Sequence, residues 1–393
     1  MKMEKGEDKL LRWLDGQYDA MVQLLEELVN TDSGSSDQEG VARVGDILRR
    51  HLEARGIACE FIECPGAAAC LKATVPAESK DSAPVLLLGH RDTVFPRGTA
   101  AERPFRIEGS KAMGPGVADM KAGLVMNSFL LEAFARCGGS KRPLVGLYTV
   151  DEEIGSPASR PVIEETARGA RAVFNSEPGR PSGNFVSERK GALFLAIEAR
   201  GKPSHSGAAH EQGASAIEAL CRKVVELHAL TDYASGTTFN VGLIEGGQSV
   251  NTVAPSAQAG LDVRFETLAA MEMAEAAVQR ILERTHVPGA SARIANRAAF
   301  LPLARSPEGG ALGRHYAACA GALGMEVEGE RTGGSADSGF TAAVGAPTVC
   351  GVGPLGERAH SPEEFCRLDT LLPRAKALAL AIARLDAGTQ AGH

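Results

Sequence analysis

A chain of 393 residues exceeds what one hydrophobic core usually organises, so two domains are expected. Its 44% hydrophobic and 23% charged residues are those of a folded globular protein and exclude intrinsic disorder. A formal net charge of -7, with no polybasic run, excludes a nucleic-acid partner and an anionic membrane surface.

Near the amino terminus Leu10, Leu11, Leu14, Met21, Leu24, Leu25 and Leu28 follow helical spacing interrupted by charges. This predicts a helix over about 9–30 and no secretory leader. No apolar run is long enough to span a bilayer, and a cytoplasmic protein is expected. A second helix opens at Ser36-Asp37 and runs to about Arg55. Strands are predicted at Ile57–Ile62, Ala69–Val75 and Val85–Leu88. A helix then begins near Met120, with Leu124, Val125, Phe129, Leu130, Leu131 and Phe134 on one face. Pro143–Val150 is a continuous apolar run, the pattern of a strand covered on both sides, and Val173–Asn175 reads as a shorter one. This alternation predicts an α/β sheet flanked by helices.

From about Gly191 the rhythm changes to strand (Ala192–Ala199), helix (Ser215–Leu230), strand (Thr237–Ile244), strand (Ala257–Phe265), helix (Leu268–Arg284) and strand (Ala290–Ile294). That β-α-β-β-α-β order is the order of a ferredoxin-like unit. After Pro302 come a helix near Gly310–Leu323, a strand at Thr348–Val352 and a last helix, Leu371–Leu385. The expected organisation is a domain of residues 191–302 inserted into a discontinuous one of 1–190 and 303–393. Cys59, Cys64, Cys70, Cys137, Cys221, Cys319, Cys350 and Cys366 are scattered without a Cys-x-x-Cys pair and read as reduced, structural thiols.

In open α/β sheets, sites collect at the carboxyl ends of strands. Here those positions carry Gly89-His90-Arg91-Asp92-Thr93-Val94, Gly114-Pro115-Gly116-Val117-Ala118-Asp119-Met120-Lys121, Asp151-Glu152-Glu153-Ile154-Gly155-Ser156, Ser176-Glu177-Pro178 and Ala359-His360-Ser361. Imidazoles and carboxylates without thiolates are the ligands of a catalytic divalent-metal site. Two histidines with three or four acids suit two ions sharing a carboxylate. His90-x-Asp92 adds a carboxylate able to orient a ligating imidazole. Each string alone has a plainer reading: Asp151-Glu152-Glu153 as a solvated turn, a loop histidine as a surface group, Gly114-Pro115-Gly116 as a mere turn. Their common topological place favours the metal site. His210-Glu211 fails as a His-Glu-x-x-His site because position 214 is Ala, and no Gly-x-Ser-x-Gly elbow occurs.

Taken together these strings resemble the dizinc aminoacylase and carboxypeptidase family, which includes glutamate carboxypeptidase, acetylornithine deacetylase and succinyl-diaminopimelate desuccinylase. The resemblance covers nearly the whole chain, and Arg331-Thr332-Gly333-Gly334-Ser335-Ala336-Asp337 resembles the glutamate carboxypeptidase branch. It implies a zinc-exopeptidase-like catalytic domain with a mixed central sheet and an inserted ferredoxin-like dimerisation domain. It also implies two divalent ions, zinc with cobalt or manganese as alternatives. Asp119 would bridge them, with His90 and Glu177 completing one site and Glu153 and His360 the other. Glu152 would be the general base and Asp92 the group orienting His90. His205, in Ser204-His205-Ser206-Gly207, would reach a partner subunit's active site in a homodimer. Asn251, Arg264, Gly333 and Gly334 would hold a substrate carboxylate. A cis peptide at Asp119–Met120 is implied as well. Two departures stand out: Arg91 puts a charge beside the metals, and Met120 replaces an acid.

The expected activity is hydrolysis of the amide bond of an N-acyl amino acid or a carboxy-terminal, glutamate-like residue. The alternative is cleavage of a C–N bond in a ureido or amidine acid; a catalytically silent metal-binding scaffold would lack a base or ligand.

Overall fold

The computed structural model describes residues 4–77 and 82–385. They fall into two compact units: one runs to Glu188 and includes Arg305–Thr332 and the chain from Ala336 onward, the other holds Arg189–Ala304 with Gly333–Ser335.

The first unit is built on an eight-stranded mixed sheet. Its centre is parallel: Leu144–Thr149, Val85–His90, Ala172–Asn175 and Thr348–Cys350 lie side by side in that order. Every residue of these four strands is buried, which is why their sequence is a run of Val, Leu and Ala rather than an alternation. Antiparallel strands flank the centre, Cys70–Val75 and Ala58–Ile62 on one side, Phe185–Arg189 on the other. The helix Ala122–Cys137 is buried from Ala122 to Phe134, so it carries apolar residues all round. Asn127 fastens it to two strand ends: its Nδ2 donates to the Leu88 carbonyl at 3.2 Å, and its Oδ1 accepts from Ser176 Oγ at 2.6 Å.

The expected helix over 9–30 is two helices, Lys5–Asp15 and Tyr18–Val29. Gly16 breaks the run, its N–H turning back to the Trp13 carbonyl at 3.2 Å. A small four-stranded sheet was not anticipated. It joins Arg106–Glu108 and Lys111–Met113 to Gly356–Glu357 and Phe365–Arg367, strands of two or three residues too short to show a period.

The second unit is a four-stranded antiparallel sheet in the order Thr238–Gly246, Ser256–Phe265, Gly191–Arg200, Ser291–Phe300. Leu193, Leu195, Ile197 and Ala199 bury one face against Ala216, Leu220 and Leu227 of the helix Ala216–His228 and Val278, Ile281 and Leu282 of Leu268–Glu283. The alternate residues of the same strand, Phe194, Ala196 and Glu198, are not buried. Ser215 and Thr267 cap the two helices by accepting the N–H groups of Glu218 and Ala270. The last strand runs six residues beyond the expected Ala290–Ile294, through a bulge between Ile294 and Asn296 that breaks the apolar pattern.

Candidate metal centre

Three adjacent parallel strands end at one edge of the sheet, and each end contributes an acid or an imidazole. Val85–His90 ends on His90, which lies opposite Thr149 of the neighbouring strand. Two residues beyond that strand Asp151 accepts the N–H groups of Ala158 at 2.6 Å and Ser159 at 3.2 Å, closing the turn that presents Glu152 and Glu153. Ala172–Asn175 delivers Glu177.

Asp119 arrives differently. It sits in an irregular turn, Val117–Lys121, where Asp119 (φ -113, ψ 93) and Met120 (φ -130, ψ 40) leave helical geometry. The Asp119–Met120 peptide is cis. Gly116 opens the turn at φ 71, and a Cβ there would lie 2.4 Å from Thr93 Cγ2, so only glycine fits. His360 stands in a loop where both it (φ 64) and Arg358 (φ 59) take positive φ, a rare and costly conformation for such residues.

The donors form two groups sharing Asp119: His90, Asp119 and Glu177, and Asp119, Glu153 and His360, the ligand atoms in each lying within 4.8 Å of one another. His90 Nδ1 lies 2.9 Å from the Asp92 carbonyl and 3.3 Å from Asp92 Oδ1. With its proton on Nδ1, the lone pair of Nε2 faces Asp119 Oδ1 at 3.1 Å, Glu177 Oε1 at 3.8 Å and Glu152 Oε2 at 4.0 Å. His360 Nε2 lies 3.0 Å from Glu153 Oε2 and 3.4 Å from Asp119 Oδ2. A neutral imidazole nitrogen facing carboxylates is an acceptor facing acceptors, a contact that either a ring proton or a metal ion resolves. Donors about 2.1 Å from a tetrahedral zinc ion stand roughly 3.4 Å apart, close to these separations. The buried Oε1 of Glu153 also has no hydrogen-bond partner among the described residues. The residues therefore fit a pair of divalent ions.

Electrostatics agree with the geometry. Burial pushes Glu152 well above the usual carboxylate range, and the charges of Glu177, Asp337 and Glu153 add to it against the pull of His90. Glu153 is raised by burial and by Asp119. Hydrogen bonds to Asp119 and Glu153 push the His360 imidazole up to about 10. Asp92 behaves oppositely: burial would raise it, but the hydrogen bond and charge of His90, with Ser35 and the Glu153 N–H, hold it low. Besides facing His90, Asp92 accepts the N–H groups of Glu152 and Glu153, each at 3.1 Å, so it fixes the backbone of both.

A model described as peptidase family M20/M25/M40 matches residues 86–384. The chain belongs to this family. It is a metal-dependent hydrolase of the peptidase class. It is similar to carboxypeptidase G2 of Pseudomonas sp. (strain RS-16), 29% identical over 396 residues covering 98% of this chain and 94% of that protein. Two solved structures share its fold. A tripeptidase of Staphylococcus aureus matches with TM-score 0.77 and 20% identity, covering 94% of this chain and 98% of the other. An M20 family metallo-carboxypeptidase of Sulfolobus solfataricus matches with TM-score 0.74 and 18% identity, covering 93% and 99%.

Within this M20 chain, Arg91 corrects the expectation of a charge beside the metals. Its side chain is fully buried and turned away from the donors, its guanidinium held by the carbonyls of Val41 at 3.3 Å, Thr149 at 3.4 Å and Ala69. Burial lowers it to about 10. Gly45 makes room for it, since a Cβ there would overlap Arg91 Nη1. Met120 is buried too, its Sδ accepting the His90 N–H at 3.3 Å.

The remaining predicted residues belong to the second unit. His205 is exposed, and its Nδ1 accepts the N–H groups of Gly207 and Ala208 at 3.2 Å, which leaves Nε2 as the proton-bearing, outward nitrogen of the neutral ring. Asn251 neighbours it through the Ser206 N–H to Asn251 carbonyl bond of 3.0 Å. The Nε–Nη2 edge of Arg264 is occupied by Asp262 at 2.7 and 2.8 Å, and its Nη1 donates to Ser335 Oγ at 3.3 Å. Gly334 accepts from Arg189 Nη1 at 3.1 Å through its carbonyl, and a Cβ on Gly333 would meet nothing. The uncovered sheet face forms a hollow of about 460 Å³ whose lining includes Phe194, Asn240, Gly260, Asp262 and Ala298.

Two buried acids escaped the sequence reading. Asp337 accepts from Thr149 Oγ1 at 3.1 Å and from Ser156 Oγ, and burial pushes it up to about 7. Glu364 accepts three backbone N–H groups of the Asp119 turn. Asp337 closes a string already singled out, three residues after Gly334, whereas Glu364 lies just beyond the Ala359-His360-Ser361 string, four residues after His360.

Proposed function

We propose that this enzyme hydrolyses the amide bond of an N-acyl amino acid, or of a carboxy-terminal residue with a glutamate-like side chain, using two zinc ions. The observation that carries the reading is the pair of donor groups sharing Asp119, with the uncommitted acid Glu152 beside them. His90, Asp119 and Glu177 would hold one ion, and Asp119, Glu153 and His360 the other. Bound there, two such ions supply Lewis acidity for the amide carbonyl and lower the pKa of an attacking water towards 7.

Glu152 accepts the proton of that water at its carboxylate and returns it to the departing amine. A single buried acid can do both because each transfer leaves it ready for the next. Adjacent side chains diverge, so Glu153 can serve as a ligand while Glu152 meets the water. Asp92 keeps His90 in its Nδ1–H form and anchors the N–H groups of both glutamates, so the base and one ligand are set by the same carboxylate.

In the second unit, Asn251, Arg264 and the Gly333-Gly334 backbone would bind the substrate's free carboxylate. Arg264, already oriented by Asp262, would offer its remaining Nη edge. The chain would act as a homodimer through this unit, with the outward Nε2 of His205 polarising the amide carbonyl of the partner's site. Mixed dimers of Glu152→Ala and His205→Ala subunits would then regain activity in one of their two sites.

A panel of N-acyl amino acids, dipeptides and ureido acids, assayed with and without chelator, tests the whole reading. Chelator-sensitive release of glutamate-like products is expected. Cleavage of ureido acids alone would replace it with the alternative chemistry, and turnover indifferent to chelator would end the two-ion reading.

A further inference from the structure

Glu364 is 1% exposed and has no place in the donor groups. Its Oε1 accepts the N–H groups of Ala118 at 2.8 Å and Asp119 at 3.0 Å, and its Oε2 that of Gly116 at 3.1 Å. Burial pushes Glu364 up to about 7, and the three N–H groups it accepts pull against that shift. The small sheet sets them up: Phe365 pairs with Met113, which puts Glu364 beside the start of the Gly114–Asp119 segment. The same loop carries His360, four residues earlier, and turns between them through the Glu364 N–H to Ser361 carbonyl bond of 3.2 Å. The buried Lys121 ammonium, donating to the Thr31 carbonyl at 2.9 Å, adds favourable charge to the Glu364 side of the turn.

A carboxylate capping an irregular turn is ordinary architecture. What distinguishes this one is whose N–H it holds. Asp119 is the only residue common to both donor groups, and its two oxygens face different imidazoles, Oδ1 towards His90 at 3.1 Å and Oδ2 towards His360 at 3.4 Å. Its backbone departs from helical geometry, so no helical ladder holds it in place. Glu364 supplies the restraint instead.

We propose that Glu364 is a positioning residue of the metal centre: by fixing the backbone N–H of Asp119 it sets the shared carboxylate, and with it the affinity for both ions together. The inference rests on the two-ion reading. Glu364→Gln keeps the volume but turns one acceptor oxygen into an N–H₂ group facing a backbone donor, so at least one of the three bonds becomes repulsive.

The test is competition for Zn²⁺ against a chromophoric chelator, on wild type, Glu364→Gln and Glu153→Gln, with the melting of each metal-free protein measured in parallel. Glu364→Gln is expected to weaken both ions by about 10- to 100-fold, in step. Glu153→Gln, which touches one donor group, should weaken one. The visible spectrum of the Co²⁺-loaded Glu364→Gln protein should shift in both bands. A purely structural role would lower the melting temperature of the metal-free variant and leave both affinities at their wild-type values, and that result overturns the inference. So does a loss confined to one ion. Should Glu364→Gln prove insoluble, Glu364→Asp retains the charge but withdraws it by one methylene, and the same paired loss is expected. If wild type itself takes up fewer than two ions, the two-ion reading falls first and this inference with it; if wild type takes two and both Glu364 variants match it, only this inference falls.

Discussion

Two regions of the first unit bury carboxylates and treat nearby histidines in opposite ways. Glu132, on the helix Ala122–Cys137, is held by Arg55 and by Arg136 at 2.7 Å. His51, its ring tilted against that of Phe129 with centroids 5.1 Å apart, stands 3.7 Å from Glu132, too far for a hydrogen bond, and burial together with the Arg55 charge depresses it to about 4. At the metal centre the acids draw the imidazoles up instead, His360 to about 10 and His90 well above its ordinary value despite its burial. A carboxylate answered by guanidinium groups has no attraction to spare. One facing other carboxylates does, and the surplus is what a divalent cation neutralises.

The comparison can be broken at either end. The largest effect is expected from Glu152→Gln, which removes charge from the unanswered set without touching a proposed ligand. Turnover should fall by about 1,000-fold while elemental analysis still finds both ions. Near-normal turnover would mean another group is the base. At the opposite pole is Glu7, whose carboxylate meets Arg384 at 2.6 and 2.7 Å with both side chains largely buried. Arg384→Met strands that acid and should cost about 3 kcal/mol in urea denaturation, with metal content unchanged. A parallel drop in metal content would show that the two kinds of acid are coupled.

Next in size, Glu153→Gln should weaken one ion by about 100-fold, read by chelator competition. Equal weakening of both would assign Glu153 to a shared role. The smallest effect concerns pH. Because the folded state holds His51 neutral to about 4, the unfolded chain takes up a proton first as pH falls below about 6.5. Stability present above that value is therefore lost progressively between about 6.5 and 4. His51→Phe should flatten that part of the stability profile, and an unchanged slope would place the titration elsewhere.

Legibility followed the size of the local signal. The parallel strands announced themselves because burial on both faces demands unbroken apolar runs, and the acids that follow them stood out by contrast. The ferredoxin-like order of the second unit was readable for the same reason, its helices and strands being long enough to show a period. What stayed hidden was short or indirect. Strands such as Gly356–Glu357 have no period to detect. Arg91 was misplaced because adjacency in sequence to His90 and Asp92 says nothing about direction, and successive residues at a strand end point to opposite sides. Glu364 was overlooked because its role rests on N–H groups about 245 residues away in the chain, a pairing that no local pattern signals.

The Glu7–Arg384 pair spans 377 residues, so the first unit closes its seam only when nearly all of the chain is present. The second unit is almost wholly one contiguous stretch, Arg189–Ala304. On a ribosome the two must therefore mature on different schedules. The inserted sheet has all four of its strands once Phe300 has emerged, whereas the larger unit then still lacks the strand Thr348–Cys350 and the helix Leu368–Ala383. Until those arrive, the edge of Ala172–Asn175 that pairs with Thr348–Cys350 and the part of the core that Leu368–Ala383 fills have no cover, and that interval is when a chaperone would be needed.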